Sequence, residues 1–247
     1  MERTKHFIVI LLLIVAMSGF SRATNKDKIY RAYTSNRMDN WKTVMDSMEL
    51  NKSRDTTYLI ELVNYQYGYI GYCLGMRNKQ AAKTYLDLAQ NNLAVLEEQS
   101  FPPAVIHAYK AAFYGFKIGI HPFKAPVLGR QCVKHVNQAL QLNNKLPFAH
   151  IQYGNTYFYM PAVFGGSKKV AIEHFLMAIK LMEKEPDSLK NDWNYLSLLS
   201  TTGQSYEEME EYEKAKAIYE KVLKIAPDFQ WVKDELYPNI KTKLAEK

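Results

Sequence analysis

The sequence predicts an all-α chain: helical hairpins stacked into an α-α superhelix, about four to five pairs followed by a C-terminal capping helix. Three observations carry that expectation. Apolar residues recur at three- and four-residue spacing, and no stretch of any length alternates as a half-buried strand does. The helical stretches come in pairs joined by turns. Sliding the chain by 39 residues also superimposes two units without a gap: Tyr114-Gly115 on Tyr153-Gly154, Pro122 on Pro161, His135 on His174, Ala139 on Ala178 and Leu142 on Leu181. Cys132 then meets Ala171 and Val136 meets Phe175, so small falls on small and apolar on apolar.

Residues 1–23 read as a signal peptide. Arg3 and Lys5 make a basic start, Phe7 to Met17 is an apolar run, and Ser21-Arg22-Ala23 is a small-x-small cleavage site. The run is shorter than the roughly 20 residues a membrane span needs. No cysteine lies near the cut, which argues against a lipid anchor. The expectation is export to the periplasm or medium with cleavage near Ala23; an uncleaved N-terminal anchor is the alternative.

The remainder, 24–247, reads as one repeat domain. Asp27 to Tyr33 and Met38 to Met48 form a first pair (27–49), with Trp41, Val44, Met45 and Met48 at helical spacing. After the polar break NKSRDTT, Thr57 to Cys73 and Lys79 to Leu96 form a second (57–97). Ala82, Leu86 and Ala89 share one face, and Gly75 stops the first helix. Phe101-Pro102-Pro103 separates it from a third pair (103–143), in which Ala104 to Ile118 and Arg130 to Leu142 flank a long turn, HPFKAPVLG. Pro147 opens the fourth (147–183), hinged at MPAVFGGS. Gly154, Ala171 and Ala178 sit where its helices must approach, and Tyr157 and Phe175 fill the space between. Asp187 to Glu207 and Glu211 to Ile225 form the fifth (187–226), ended by Pro227. Residues 228–247 make a last amphipathic segment, with Trp231, Leu236, Ile240 and Leu244, interrupted at Pro238.

The fifth pair carries a family signature. Gly203, Tyr206, Tyr212, Ala215, Tyr219 and Pro227 stand at the relative positions of the tetratricopeptide repeat family, with Val222 for the usual alanine and Leu199 for the usual tryptophan. The middle pairs resemble the same unit with about five extra residues in the turn. The pair at 57–96 resembles it through Gly68, Ala82 and Ala89. A narrower resemblance rests on FGGSKKVAIEHFLMAI (164–179), which is similar to a segment of the TRAP transporter T-component and regulator of microtubule dynamics families. Export fits the first of these. That resemblance implies a periplasmic accessory protein with an apolar channel or pocket, partnering a solute-binding protein. The repeat motif specifies a fold and leaves the function open.

In the repeat family the concave surface is made by first-helix positions flanking the signature glycine. Carried over, these are Leu62, Tyr65, Tyr69 and Tyr72; Tyr109, Ala112 and Phe116; and Phe148, Ile151, Asn155, Phe158 and Tyr159. The resemblance thus implies an aromatic lining with almost no charge. The family's clamps on a peptide's terminal carboxylate need Lys or Arg there, and none is present. Two readings follow. The lining is a groove for an apolar or aromatic ligand or a partner helix, or tight curvature buries the rings as core.

Other residues exclude more than they assign. The chain is 47% hydrophobic and 13% aromatic with 18 tyrosines, enough for a sizeable core. Its net charge of +7 becomes +5 without residues 1–23 and forms no contiguous basic block, which with export speaks against nucleic acid. Cys73 and Cys132 lie in different helices; export permits a bridge, while the small-residue position of Cys132 suits a buried hydrophobe. GGSKK at 165–169 lacks the strand and spacing of a phosphate loop and fits a turn with Ser167 as helix cap. His135 and His174 share a repeat position, and two histidines begin a metal site, but no third ligand stands at useful spacing. There is no HExxH, GxSxG or paired carboxylate in an apolar setting. The expectation is therefore a non-enzymatic scaffold with a protein partner, an accessory to a transport or envelope assembly, without metal or cofactor and not integral to a membrane once cleaved. Its rival is a small-molecule binding protein that uses the aromatic lining.

Overall fold

The computed structural model describes residues 23–51 and 55–246, so the expected signal segment, 1–23, lies outside the described residues except for Ala23. The described residues form eleven α-helices in order: α1 (Asn25–Thr34), α2 (Met38–Glu49), α3 (Thr56–Gly75), α4 (Lys79–Glu98), α5 (Pro103–Ile120), α6 (Ala125–Leu142), α7 (Pro147–Tyr159), α8 (Lys168–Met182), α9 (Trp193–Glu208), α10 (Tyr212–Ile225) and α11 (Tyr237–Ala245). Among the described residues there is no strand. The helices stack as antiparallel hairpins, α1–α2 through α9–α10, with α11 against α10.

Local chemistry starts most of these helices. Thr24 and Asp27 make a reciprocal capping box on α1. Asp55, Asn78, Ser167 and Asp192 accept first-turn amides of α3, α4, α8 and α9. Pro103 and Pro147 occupy first-turn positions of α5 and α7, where the missing N–H costs nothing.

Three boundaries differ from the expectation. In HPFKAPVLG only Pro122–Lys124 is a separate 3-10 turn, and α6 starts five residues before Arg130 because Pro126 sits well in a first helical turn. Helix α9 starts at Trp193 rather than Asp187, since Asp192 caps it and Pro186–Leu189 forms its own 3-10 turn. Pro238 does not break the C-terminal helix. The backbone widens into a π-helical turn over Val232–Leu236, and the helix continues through the proline.

Within hairpins the packing rests on a glycine opposite a ring. A Cβ on Gly154 would lie 2.3 Å from Phe175 Cε1, and one on Gly203 would lie 2.3 Å from Tyr219 Cε1. Phe175, Tyr219, Ala171, Ala178 and Ala215 are all fully buried. Each such ring contributes about 1.5–3 kcal/mol by leaving water.

Between hairpins a second glycine matters more. Gly68 of α3 lies under two indoles, its missing Cβ 2.6 Å from Trp193 Cη2 and 2.7 Å from Trp41 Cζ2. Trp41 Nε1 donates to the Tyr65 carbonyl at 3.0 Å. Tyr33 of α1 stands edge-on to Trp41 and to Trp193, each at 5.9 Å, and 4.9 Å from Phe229. Asn191 Nδ2 donates to Asp27 Oδ1 at 2.8 Å, and Lys26 Nζ donates to the Ser188 carbonyl at 2.9 Å. The first hairpin therefore touches the fifth, and the array closes on itself.

This packing predicts opposite signs for two alanine substitutions. Gly154→Ala must push the Phe175 ring and should lower the unfolding free energy by about 1–3 kcal/mol. Gly71→Ala, on the exposed side of α3 with no atom within 4 Å, should raise it by about 0.5–1 kcal/mol. Denaturant titration of both variants checks the pair.

Candidate functional site: the aromatic concave face

Helix α3 is the spine of this face. Its Tyr67 projects between α5, α7 and α9, with ring centroids 6.2 Å from Tyr109, 5.4 Å from Phe116, 5.3 Å from Phe148 and 6.4 Å from Trp193. The Tyr67 hydroxyl accepts from Gln152 Nε2 at 3.0 Å and from Asn155 Nδ2 at 3.4 Å. Burial raises its pKa, and the Gln152 and Asn155 amides partly offset that rise. Thus four of the nine candidate residues, Tyr109, Phe116, Phe148 and Asn155, gather around a tyrosine that was not among them.

The other five lie elsewhere. Tyr65 is buried on the α2 side, 6.3 Å from Trp41, and its hydroxyl donates to Glu61 Oε1 at 2.5 Å. Tyr69 is buried edge-on to Tyr85 at 4.8 Å, with the more exposed Tyr72 beside it at 5.8 Å. Burial pushes the Tyr69 phenol up to about 12. Phe158 and Tyr159 end α7, Phe158 half-buried under Lys168 Nζ at 5.7 Å and Tyr159 exposed. Tyr65 and Tyr69 flank the signature glycine on one side of α3; Tyr67, adjacent to it, takes the inner position. Gly68 marks in the sequence where another helix approaches α3, but it does not single out Tyr67 among its neighbours.

The gathered rings leave a crevice of about 30 Å³, room for a water and little more. Tyr67, Phe148, Asn155, Trp193, Ser197 and Thr201 line it. One group there is unsatisfied: Trp193 Nε1 is buried and has no hydrogen-bond partner among the described residues. Tyr33, at the α1 side of this region, is pushed up to about 12 by burial, a rise that the Ser197 hydroxyl opposes.

A larger cavity of about 270 Å³ opens between α4, α5 and α6, lined by Leu93, Phe113, Tyr114, Lys110, Lys117 and His135. Lys110 is held by both oxygens of Glu97, at 2.6 and 2.8 Å. Lys117 makes no ion pair among the described residues; its ammonium lies 5.2 Å from the Tyr114 ring, and burial lowers its pKa.

His135 and His174 do not pair with each other. Each meets a histidine across its own hairpin: His107 Nδ1 to His135 Nδ1 at 2.8 Å, and His150 Nδ1 to His174 Nδ1 at 3.1 Å. A tyrosine stacks on each, Tyr114 at 5.5 Å and Tyr153 at 3.9 Å, both with nearly parallel planes. Among the described residues no three His, Cys, Asp or Glu side chains group as metal ligands. Cys73 and Cys132 are both free and buried. Gly165 adopts φ +94° in the MPAVFGGS turn, and a Cβ on Gly166 would overlap the Met160 carbonyl oxygen, so both glycines are required by the turn. No described helix is long and apolar enough to cross a membrane.

The histidine pairs predict acid sensitivity. Two rings sharing a hydrogen bond between Nδ1 atoms cannot both carry an extra proton. Burial first, and then the facing histidine, hold His135 and His174 at about 4, below the ordinary 6.5. The folded pKa is depressed, so this stability is complete above pH 6.5 and is lost as pH falls toward 4. Since both rings are partly solvated, about 1 kcal/mol per pair is expected. Melting curves between pH 7 and 5 should show a decline that His135→Asn combined with His174→Asn flattens.

Comparison with known proteins comes down on the fold. A tetratricopeptide repeat profile matches residues 199–229, within the α9–α10 hairpin and the turn after it. No curated protein matches the sequence. Among solved structures, the HusA haemophore from Porphyromonas gingivalis is similar with a TM-score of 0.58 at 15% identity, over 76% of this chain and 96% of that one. A thermophilic TPR protein from Thermus thermophilus aligns with a TM-score of 0.46 at 14% identity, over 90% of this chain and 98% of that one. The chain thus carries a tetratricopeptide repeat in its fifth hairpin and is folded as a helical-repeat array of the kind found in the haemophore.

Proposed function

We propose that the chain is an exported scaffold without enzymatic activity of its own, which holds a segment of a protein partner along its inner face as an accessory to a transport or envelope assembly. The observation that carries this reading is the inner crevice lined by Trp193, a residue whose buried indole N–H has no hydrogen-bond partner among the described residues. A buried donor without an acceptor costs about 1–3 kcal/mol, and a backbone carbonyl from an inserted segment would recover it. The side chains around it suit the same occupant. Asn155, Asn194, Ser197 and Thr201 are neutral donors and acceptors of the kind that pair with an extended backbone, over the aromatic floor of Tyr67 and Phe148. The crevice is too small for a free ligand of drug size, so the occupant presses a narrow group in from outside. The repeat signature supports a protein partner, and the T-component resemblance of residues 164–179 supports the envelope setting.

A second reading, a small apolar or aromatic molecule, is favoured by the cavity between α4, α5 and α6, where Leu93, Phe113 and Tyr114 make an apolar wall beside Lys117. It is the reading to which a haemophore of the same fold would correspond.

Trp193→Phe tests the first reading, because it removes the N–H; it also shortens the ring whose Cη2 and Cζ3 pack on Gly68, so a melting curve of the variant is taken alongside to show that it is folded. In a crosslinking pull-down from envelope extracts, the variant should lose at least about tenfold of the captured partner, as expected for a buried hydrogen bond worth about 1.4 kcal/mol or more. A small molecule found by native mass spectrometry in the unaltered protein and lost from Tyr114→Ala, a residue of the larger cavity, with partner capture unchanged, would instead select the second reading. For export, N-terminal sequencing of the protein from the producing cell should begin at or near Thr24 and show the fractionation of a periplasmic or secreted protein.

A further inference from the structure

The charge of the chain looks evenly spread by its total, yet its carboxylates are not. From Gln99 to Ile172 the sequence holds no Asp or Glu, while Lys110, Lys117, Lys124, Arg130, Lys134, Lys145, Lys168 and Lys169 add +8. The rest of the segment after Ala23 is therefore net −3 against its total of +5. The acid-free stretch comprises α5, α6, α7 and the first turn of α8, the third hairpin and most of the fourth.

Hairpin topology sorts these cations. Successive helices run antiparallel, so the α5–α6 and α7–α8 turns protrude from the same end of the array. Both turns, with the first helical turn of α6, carry large apolar side chains in solvent: Phe123 at 77%, Val127 at 69%, Val163 at 86% and Phe164 at 70% exposure. None of them fills a hairpin core, and the expanded turns that hold them are not required for helix pairing, since the α9–α10 hairpin turns with only Met209–Glu211 between its helices. Lys124, Arg130 and Lys169 stand beside these tips and form no ion pair among the described residues; Lys168 pairs with Glu208 at 2.5 Å. The next turn along this end, with Glu207, Glu208, Glu210 and Glu211, is acidic and bounds the patch.

We propose that this end of the array docks on an anionic lipid surface, with Phe123, Val127, Val163 and Phe164 entering the headgroup layer and Lys124, Arg130 and Lys169 meeting lipid phosphates. Protruding convex tips ringed by cations match a bilayer interface, which accepts apolar side chains at its headgroup boundary and attracts cations by its surface potential. A protein partner would more often offer such tips a pocket, and the cations Lys124, Arg130 and Lys169, which form no ion pair among the described residues, select an anionic counterpart. This surface is separate from the inner crevice, so it stands or falls independently of the partner proposed there.

The test uses full-length protein carrying a single environment-sensitive fluorophore on a cysteine at Phe164→Cys, or at Leu142→Cys, which is exposed at the opposite end of α6. The native cysteines are buried and should not label. With vesicles of phosphatidylcholine and phosphatidylglycerol, the label at 164 should shift to the blue, while the label at 142 should not. Vesicles of phosphatidylcholine alone should give no shift at either site. Adding Lys124→Gln and Lys169→Gln should weaken the response about tenfold or more, at about 1 kcal/mol per cation near an anionic surface. A silent label at 164, an equal response to neutral vesicles, or a larger response at 142 overturns the proposal. Because the labelled positions are at exposed residues, unchanged circular dichroism and melting identify any loss as a loss of docking.

Discussion

Everything inside this array depends on Gly68. With no side chain there, Trp41 from the first hairpin and Trp193 from the fifth reach the same point on α3 and meet each other at 4.8 Å. A methyl group at that position would intrude on both indoles, and neither has room to retreat from a packed interior. The contact sets the curvature. An open superhelix leaves its concave wall to solvent; here Tyr33, Trp41 and Trp193 draw the ends together, and most of the wall becomes an interior, with only the small crevice beside Trp193 left along it.

That interior explains why an aromatic lining does not by itself make a pocket. Tyr67, Tyr109, Phe116 and Phe148 use their faces and edges on one another at centroid separations of 4.3 to 6.2 Å, within the range where aromatic pairs attract. Polar ends are satisfied locally, Tyr109 on Asn64 Oδ1 and Tyr67 on Gln152 and Asn155. Trp193 is the exception. Its ring is fixed by packing on Gly68, so its N–H cannot turn to find an acceptor, and the unsatisfied donor is a product of the same constraint that closes the array.

The hairpins were legible because their rule is local. On the second helix the ring follows a small residue by four positions, Phe175 after Ala171 and Tyr219 after Ala215, so its pairing with the first-helix glycine, Gly154 with Phe175 and Gly203 with Tyr219, can be read from the sequence. The start of α8 was legible because Ser167 caps it, whereas the Asp192 cap of α9 was not read, and prolines shifted other ends, since Pro126 starts α6 early and Pro238 is absorbed by a π turn. The site was only partly legible. The family positions flank the glycine and point to Tyr65 and Tyr69, whereas the inner ring is Tyr67. Its orientation is decided by Trp193, in a helix far along the chain, and no local pattern encodes that contact. The histidines show the same limit: the 39-residue shift aligns His135 with His174, but their partners, His107 and His150, do not obey it.

Closure also removes a freedom that repeat arrays ordinarily have. In an open stack each hairpin touches only its neighbours, so a unit can be duplicated or deleted and the remainder still packs. In this chain the first and fifth hairpins are mutual neighbours as well. Adding or removing one hairpin between Trp41 and Trp193 would separate the indoles and strip Gly68 of its cover. The copy number of the repeat is thereby part of the fold, and lineages built on this architecture should vary in turn length, as the α5–α6 and α7–α8 turns already do, rather than in the number of hairpins.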